Sequence, residues 1–149
     1  MSMVKVFIAE DDPLMARLYE RVFKLEGFEV EIGSDGEEAI TKLEMMEKKP
    51  TLILLDIMMP KLSGFDVLRH IKTKLNLKNI PVVMLTNLAG QDDAEKALEL
   101  GAVLYLVKSQ YEPKEIVNKV KEIIKGYTRD QEVTEAPSVS VPVKKLPSK

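Results

Sequence analysis

Residues 51–56 read TLILLD, and this nearly continuous apolar run is typical of a central parallel strand that is covered on both faces. The runs that predict four further strands are VKVFIA at 4–9, FEVEI at 28–32, PVVML at 81–85 and AVLYLV at 102–107. Amphipathic stretches alternate with these runs, which gives five strand–helix units along the chain. This alternation predicts an α/β domain with a parallel sheet and helices on both of its faces.

Capping residues and apolar spacing indicate where the helices lie. Asp12 and Pro13 are typical of an N-cap and a first helical position, and Pro113 opens the last helix. One face of the first helix is marked by four apolar residues: Leu14, Leu18, Val22 and Leu25. From Tyr127 the chain is rich in Pro, Ser, Val and charge, without a helical period. We therefore expect a folded domain at residues 1–126 and a flexible tail at residues 127–149.

The composition excludes several classes of protein. The sequence has 22 basic and 24 acidic residues, a net charge of −2, no Cys and one His. A disulfide framework, a thiolate metal site and a site with several His ligands are therefore excluded, and no global positive field draws nucleic acid. No apolar stretch approaches the roughly 20 residues that span a bilayer. These features predict a cytoplasmic protein with no membrane contact and no direct nucleic-acid partner.

Polar residues follow four of the five predicted strands: Glu10-Asp11-Asp12, Asp56, Thr86-Asn87 and Lys108. Ligands of an open parallel sheet collect at the carboxyl ends of its strands, so these side chains are expected to converge. Two carboxylates about 4 Å apart repel by roughly 4 kcal/mol at an effective dielectric constant near 20, so either one of them stays protonated or a cation lies between them. An all-oxygen donor set suits Mg²⁺. A metal ion, a lysine and a hydroxyl around a carboxylate can together hold a phosphoryl group on that carboxylate.

Four segments, in this order and spacing, resemble the receiver domain of two-component response regulators: FIAEDDPLMARL, LILLDIMMPKLSGFDVL, VVMLTN and GAVLYLVK. The resemblance covers the chain from about Val4 to Lys125. It implies a flavodoxin-like, doubly wound fold with the strand order 2-1-3-4-5. No output domain is visible in the sequence, so the chain resembles a stand-alone receiver that signals by docking.

The resemblance implies roles for the acidic residues. Asp56 corresponds to the phosphoacceptor and Asp11 to a direct Mg²⁺ ligand, while Glu10 acts through metal-bound water. The backbone carbonyl of Met58 completes the protein ligands. The loop after the phosphoacceptor is shaped by two more residues of the motif, Pro60 and Gly64.

A second group of residues is implied to read the phosphoryl group. Thr86 turns its hydroxyl to one phosphoryl oxygen, Lys108 pairs with another, and the backbone of Asn87 lies beside them. Tyr105 matches the aromatic residue that moves inward when Thr86 moves.

The resemblance also implies partners. A sensor histidine kinase or a phosphotransfer protein donates the phosphoryl group, and the face of the fourth helix, fifth strand and fifth helix then docks an unidentified downstream protein. The chain is expected to be a monomer or a weak dimer. It is not expected to be an enzyme beyond Mg²⁺-dependent self-phosphorylation and slow autodephosphorylation.

Three departures from the family pattern affect these expectations. Ser109 stands where the family has a proline after a cis bond, and Asn87 stands where Ala or Gly is favoured. Met58 and Leu88 flank the site, where receivers that dephosphorylate quickly carry polar residues that orient water. A long-lived phosphoryl state is therefore expected.

Two other functions compete with this interpretation of the sequence. A phosphatase of the dehalogenase type also uses an aspartate at a strand end, but it needs an acid two residues later, where this chain has Met58. A receiver that works without phosphorylation has little support, because Asp56, Thr86 and Lys108 are all present.

Overall fold

The computed structural model describes residues 3–133 of the chain. Its strands are β1 (Lys5–Ala9), β2 (Glu29–Gly33), β3 (Leu52–Leu55), β4 (Val82–Thr86) and β5 (Leu104–Val107). Its helices are α1 (Pro13–Leu25), α2 (Gly36–Met45), α3 (Gly64–Thr73), α4 (Gln91–Glu99) and α5 (Pro113–Val133). A single 3₁₀ turn at Lys108–Gln110 joins β5 to α5. In the part of the chain that the structure describes, no helix could cross a membrane.

The five strands form one parallel sheet in the order β2-β1-β3-β4-β5, which confirms the predicted fold and strand order. All four residues of β3 are buried, as expected for the apolar run at its centre. The chain passes from β1 to the edge strand β2 and then returns to β3 on the other side of β1. This reversal opens a crevice beyond the carboxyl ends of β1 and β3, where ligands of such sheets bind.

Each face of the sheet carries its own hydrophobic core. Phe7 and Ile53 face a core that α2, α3 and α4 cover, whereas Ile8 and Leu54 face a core that α1 and α5 cover. This division follows from the alternation of side chains along a strand. The two layers of helices hold the sheet rigidly, so the carboxyl ends of the strands are a fixed platform.

The predicted apolar face of α1 is wrong. The buried residues of α1 are Ala16, Tyr19 and Phe23. Leu14 is 78% exposed and Leu25 is 75% exposed. The buried set is spaced i, i+3, i+7 and the predicted set i, i+4, i+8, i+11, so both follow one face of a helix. The buried set contains two aromatic rings, which bury a large apolar area. Phe23 also packs edge to face on Phe28, with the ring centroids 5.3 Å apart.

Helix α5 extends past residue 126, where the sequence placed the end of the folded domain. Gly126 lies inside this helix. A glycine inside a helix is about 1 kcal/mol less favourable than alanine, which is too little to end a helix that is anchored upstream. The anchor is a set of buried residues on α5: Ile116, Val117, Val120 and Ile123. Residues 127–133 contain no proline and continue the helix to Val133. The remainder of the predicted tail, residues 134–149, lies outside the described residues.

Candidate functional site

Three carboxylates meet at the carboxyl ends of β1 and β3. Glu10, Asp11 and Asp56 each offer an oxygen within 4.8 Å of the others. The side chains of Glu10 and Asp56 are buried, whereas Asp11 is exposed at the mouth. The Asp56 amide donates to the Ala9 carbonyl at 3.1 Å, so the ladder between β1 and β3 sets the position of Asp56.

Asp12, the third acid of the run, does not join this group. Its side chain accepts a hydrogen bond from the Leu14 amide at 3.0 Å and caps α1. The Asp12 amide in turn donates to Glu10 Oε2 at 3.1 Å, which orients the buried carboxylate. The prediction that Asp12 is an N-cap is therefore confirmed.

Lys108 brings a positive charge from the end of β5 to the acids. Its ammonium donates to Glu10 Oε1 at 2.5 Å and to Asp56 Oδ2 at 3.0 Å. Burial raises the pKa of Glu10, although the hydrogen bond and the charge of Lys108 oppose this effect. For Lys108, burial acts to lower the pKa, but the two carboxylates outweigh it and the pKa lies above its usual value. Lys108 therefore stays charged at neutral pH.

The oxygens of Glu10, Asp11 and Asp56 fit a magnesium ion. The donor set contains only oxygen, as hard divalent cations prefer, and one of the acids is open to water. The cleft beside Asp11 has a volume of about 480 Å³ and is lined largely by residues after β3, namely Ile57, Met58, Met59, Pro60 and Ser63. We name residues 57–63 the acceptor loop. Two residues that this loop presents at the mouth, Met58 and Pro60, are exposed.

Close backbone packing fixes the acceptor loop. The Gly64 amide donates to the Ile57 carbonyl at 2.8 Å. A Cβ at Gly64 would lie 2.1 Å from the Asp56 carbonyl oxygen, so no larger residue fits there without moving the loop. Ser63 and Asp66 form a capping box that starts α3. The structure thus agrees with a role for Gly64 in shaping this loop.

Thr86 and Tyr105 both hold the segment after β4, residues 87–90, which we name the switch loop. Thr86 is fully buried, and its hydroxyl accepts a hydrogen bond from the Leu88 amide at 3.3 Å. The Tyr105 hydroxyl donates to the Leu88 carbonyl at 2.7 Å. Burial raises the pKa of Tyr105, so the phenol remains a donor. Tyr105 already points inward in this structure, and its movement with Thr86 stays a prediction.

The departures from the family pattern lie close to the site. The peptide bond between Lys108 and Ser109 is trans, because the described residues contain no cis peptide bond. The 3₁₀ turn at Lys108–Gln110 reverses the chain at this point and still brings the lysine to both acids. Asn87 is exposed at the start of the switch loop.

Sequence reasoning missed two residues around this site. The sequence indicates Leu88 only as an apolar side chain beside the site. In the structure its backbone amide and carbonyl connect Thr86 to Tyr105. Tyr19 lies buried on α1, and burial raises its pKa to about 12, with further effects from the charges of Lys108, Glu10 and Asp56. Neither backbone bonding nor a buried tyrosine on a helix gives a distinctive sequence signal.

A doubly wound sheet with an acid cluster, a lysine and a buried threonine at its strand ends defines a class of phosphoryl-binding signalling domain. The family model described as the response regulator receiver domain matches residues 6–121. The chain belongs to this family.

Curated relatives include the transcriptional regulatory protein CpxR of Klebsiella pneumoniae, which is 34% identical over 97% of this chain and 60% of its own length. The DNA-binding response regulator MtrA of Mycolicibacterium smegmatis is 35% identical over 78% of this chain and 49% of its own length. The chain spans about half the length of the curated relatives it matches.

Solved structures show the same fold. A CheY-like receiver domain protein from Methanospirillum hungatei has a TM-score of 0.79 at 25% identity and covers 87% of this chain and 99% of its own. The phosphorylated cyanobacterial phytochrome response regulator RcpA has a TM-score of 0.69 at 30% identity and covers 92% of this chain and 99% of its own.

Proposed function

We propose that Asp56 accepts a phosphoryl group from the phosphohistidine of a sensor histidine kinase or a phosphotransfer protein, with Mg²⁺ held by the acid cluster. One observation carries the proposal. The Asp56 carboxylate is buried, with the Lys108 ammonium 3.0 Å away and with oxygens of Glu10 and Asp11 within 4.8 Å. A structural aspartate does not need this combination of a cation and neighbouring acids, whereas an aspartate that carries phosphate does.

The chemical step is a displacement at phosphorus. An oxygen of the Asp56 carboxylate forms the new P–O bond while the P–N bond of the phosphohistidine breaks. The electron pair of that bond leaves with the imidazole nitrogen, and the donor histidine is released neutral after proton exchange with water. No oxidant or reductant takes part, and the product is an acyl phosphate on Asp56.

The chain's own residues would stabilise this product by charge. Lys108 can turn from the Asp56 carboxylate to a phosphoryl oxygen, because its ammonium already lies within hydrogen-bond distance of Asp56. Asp11 and Asp56 would bind the metal directly, with the backbone carbonyl of Met58, and Glu10 would bind it through water. Bound Mg²⁺ supplies neutralisation of the negative charge on the transferred group.

Signalling would start at the switch loop. The Thr86 hydroxyl can donate a hydrogen bond to a phosphoryl oxygen. Because the same hydroxyl accepts a hydrogen bond from the Leu88 amide, a movement of Thr86 toward the phosphoryl group would displace Leu88. The Tyr105 hydroxyl holds the same residue by its carbonyl, so β5 and α4 respond together. A shift from about 1:99 to 99:1 needs roughly 5.5 kcal/mol of differential stabilisation, which a few charge-assisted contacts can supply. The face of α4, β5 and α5 would then dock a downstream protein.

The surroundings of the site favour a protein as the phosphoryl donor. Leu14 is 78% exposed at the start of α1, and Met58 is 62% exposed on the acceptor loop. Exposed apolar side chains next to a polar site are typical of surfaces that meet another protein. Met58 and Leu88, which flank the site, offer no group that orients water, and this supports a long-lived phosphoryl state. Slow autodephosphorylation would then be the chain's only turnover.

The proposal is tested with acetyl phosphate as the phosphodonor. We expect the intact mass of the full chain to rise by one phosphoryl group when Mg²⁺ is present and to stay unchanged when it is chelated. Asp56→Asn should take up none, and a chase in phosphodonor-free buffer should show loss over minutes or longer. Uptake by the Asn variant, or equal uptake without Mg²⁺, would refute the proposal.

Further expectations accompany this function. A cytoplasmic location, a monomeric or weakly dimeric state and the absence of a direct nucleic-acid partner stay predictions. The curated relatives are named as transcriptional and DNA-binding regulators, and those words describe the relatives. Size-exclusion chromatography with and without beryllofluoride, a phosphoryl mimic, would measure the oligomeric state in both forms.

A further inference from the structure

The start of α2 packs directly against the acceptor loop, although the two are separate in sequence. The Gly36 amide donates to the Pro60 carbonyl at 3.4 Å. A Cβ at Gly36 would lie 2.3 Å from the Leu62 carbonyl oxygen and 2.6 Å from the Leu62 Cβ. Distances below 3 Å cannot be met by a side chain without moving one of the two backbones. The acceptor loop in its present position therefore leaves room only for glycine at position 36.

The loop is also strained where it meets α2. Lys61 has a φ of +74°, and it is the one residue other than glycine with a positive φ in the described part of the chain. A side chain in this conformation is unfavourable and persists only where neighbouring contacts impose it. The Lys61 ammonium lies 3.6 Å from Asp35 Oδ2, and Asp35 itself is fixed as the N-cap of α2 by the Glu38 amide at 2.8 Å.

We propose that Asp35, the N-cap of α2, Gly36, its first residue, and Lys61 of the acceptor loop are positioning residues for the magnesium site. We call this contact the α2 clasp. It rests on the proposed function, because it acts through the loop that carries the Met58 carbonyl. The loop could adopt other backbone paths, and the clasp selects the one in which Ile57, Met58 and Met59 line the cleft beside Asp11.

The clasp acts at a distance from the acids themselves. Asp35 and Lys61 form an ion pair at the start of α2, which Asp35 caps, and neither belongs to the acid cluster. Residues that hold metal ligands in place typically change metal affinity about 10–100-fold when they are replaced. Their loss is expected to weaken magnesium binding without changing the chemistry that follows once the ion is bound.

The first experiment compares two glycine variants of the full chain by magnesium titration, with binding measured by calorimetry and by the NMR shifts of the acceptor-loop amides. Gly36→Ala should raise the magnesium Kd about tenfold. It should leave the rate of phosphoryl uptake at saturating Mg²⁺ within about twofold of the wild-type rate.

Gly101→Ala is the matched control, because Gly101 has a φ of +113° and lies before β5, at the opposite edge of the sheet. It should lower stability and leave the magnesium Kd unchanged.

Lys61→Gly separates positioning from stability and stays informative if Gly36→Ala does not fold. Glycine adopts a positive φ without strain, so this variant should be at least as stable as the wild type. It should nevertheless bind Mg²⁺ several-fold more weakly, because the loop has lost its anchor. A purely structural role would not give a variant that gains stability and loses affinity.

The outcomes distinguish the two proposals. If the wild-type chain binds no Mg²⁺, the proposed function fails and the clasp fails with it. If the wild type binds Mg²⁺ and both clasp variants bind it equally well, the clasp alone is overturned. An equal loss of affinity in Gly101→Ala would also overturn it, because the effect would then follow from stability in general.

Discussion

The acceptor loop and the switch loop follow the neighbouring strands β3 and β4, and they are held in different ways. The acceptor loop is fixed by backbone contacts, with the Gly64 amide bonded to Ile57 and Gly36 pressed against Leu62. The switch loop is held at Leu88 by the side chains of Thr86 and Tyr105. Gly90 has no side chain to cap α4, which begins directly after this loop.

This difference separates the two tasks of the domain. Backbone packing without room for a Cβ is either satisfied or broken, so it suits the side that we propose to hold a metal ligand in one geometry. Two side-chain hydrogen bonds contribute about 1 kcal/mol each and can be exchanged, which suits the side that must change state. We propose that the acceptor loop, beside the acid cluster, keeps one backbone path and that the switch loop changes its conformation on phosphorylation.

Gly64→Ala is expected to give the largest effect, because it breaks the rigid side directly. The added Cβ would lie 2.1 Å from the Asp56 carbonyl oxygen and 2.7 Å from the Ile57 Cα. We expect the free energy of unfolding to fall by about 3 kcal/mol, the upper part of the usual range for overpacking. Urea unfolding followed by circular dichroism measures it. A loss below about 1 kcal/mol would show that the acceptor loop yields easily and that the contrast between the loops is smaller than proposed.

Tyr105→Phe tests the movable side with a smaller change. It removes the hydroxyl that donates to the Leu88 carbonyl at 2.7 Å and leaves the buried ring in place. We expect a loss of about 1 kcal/mol in the free energy of unfolding and faster hydrogen exchange of the switch-loop amides. The magnesium Kd should not change.

The matched variant for this test is Thr86→Ser, which keeps the hydroxyl that accepts from the Leu88 amide. It should leave the exchange rate of that amide close to the wild-type rate. If Tyr105→Phe instead accelerates exchange in the acceptor loop as well, the two loops form one unit and the contrast fails.

Much of this architecture could be predicted from the sequence, because it depends on local patterns. The apolar run of β3 and the acids that end β1 and β3 are visible as letters, and parallel strands bring their ends together. The buried face of α1 could not be predicted in this way. Two apolar stripes compete on that helix, and packing against the sheet selects Tyr19 and Phe23 over Leu14 and Leu25.

The contacts that distinguish the two loops were also beyond the sequence. Gly36 reads there as an ordinary helix-start residue, and its approach to Leu62 depends on how α2 and α3 pack side by side. The bonds at Leu88 involve backbone atoms, which every residue type carries. Such contacts depend on tertiary position, so only the folded chain reveals them.

The smallest effect is expected from Asp35→Asn, which keeps the N-cap of α2 and removes the charge that faces Lys61. The hydrogen bond from the Glu38 amide, with a smaller effect from Lys61, holds the pKa of Asp35 below its ordinary value of 3.8. A carboxylate with a lowered pKa adds stability that is complete above its ordinary pKa and is lost as the pH falls through the lowered value. The stability difference between wild type and variant should therefore be present at neutral pH and shrink below pH 3.8. Urea unfolding at a series of pH values measures this difference.

Lys61→Gln should retain most of the pH dependence, because the amide of Glu38 is the larger cause. A large loss of the pH dependence in Lys61→Gln would mean that the charge of Lys61, rather than the Glu38 amide, is the main cause of the lowered pKa of Asp35.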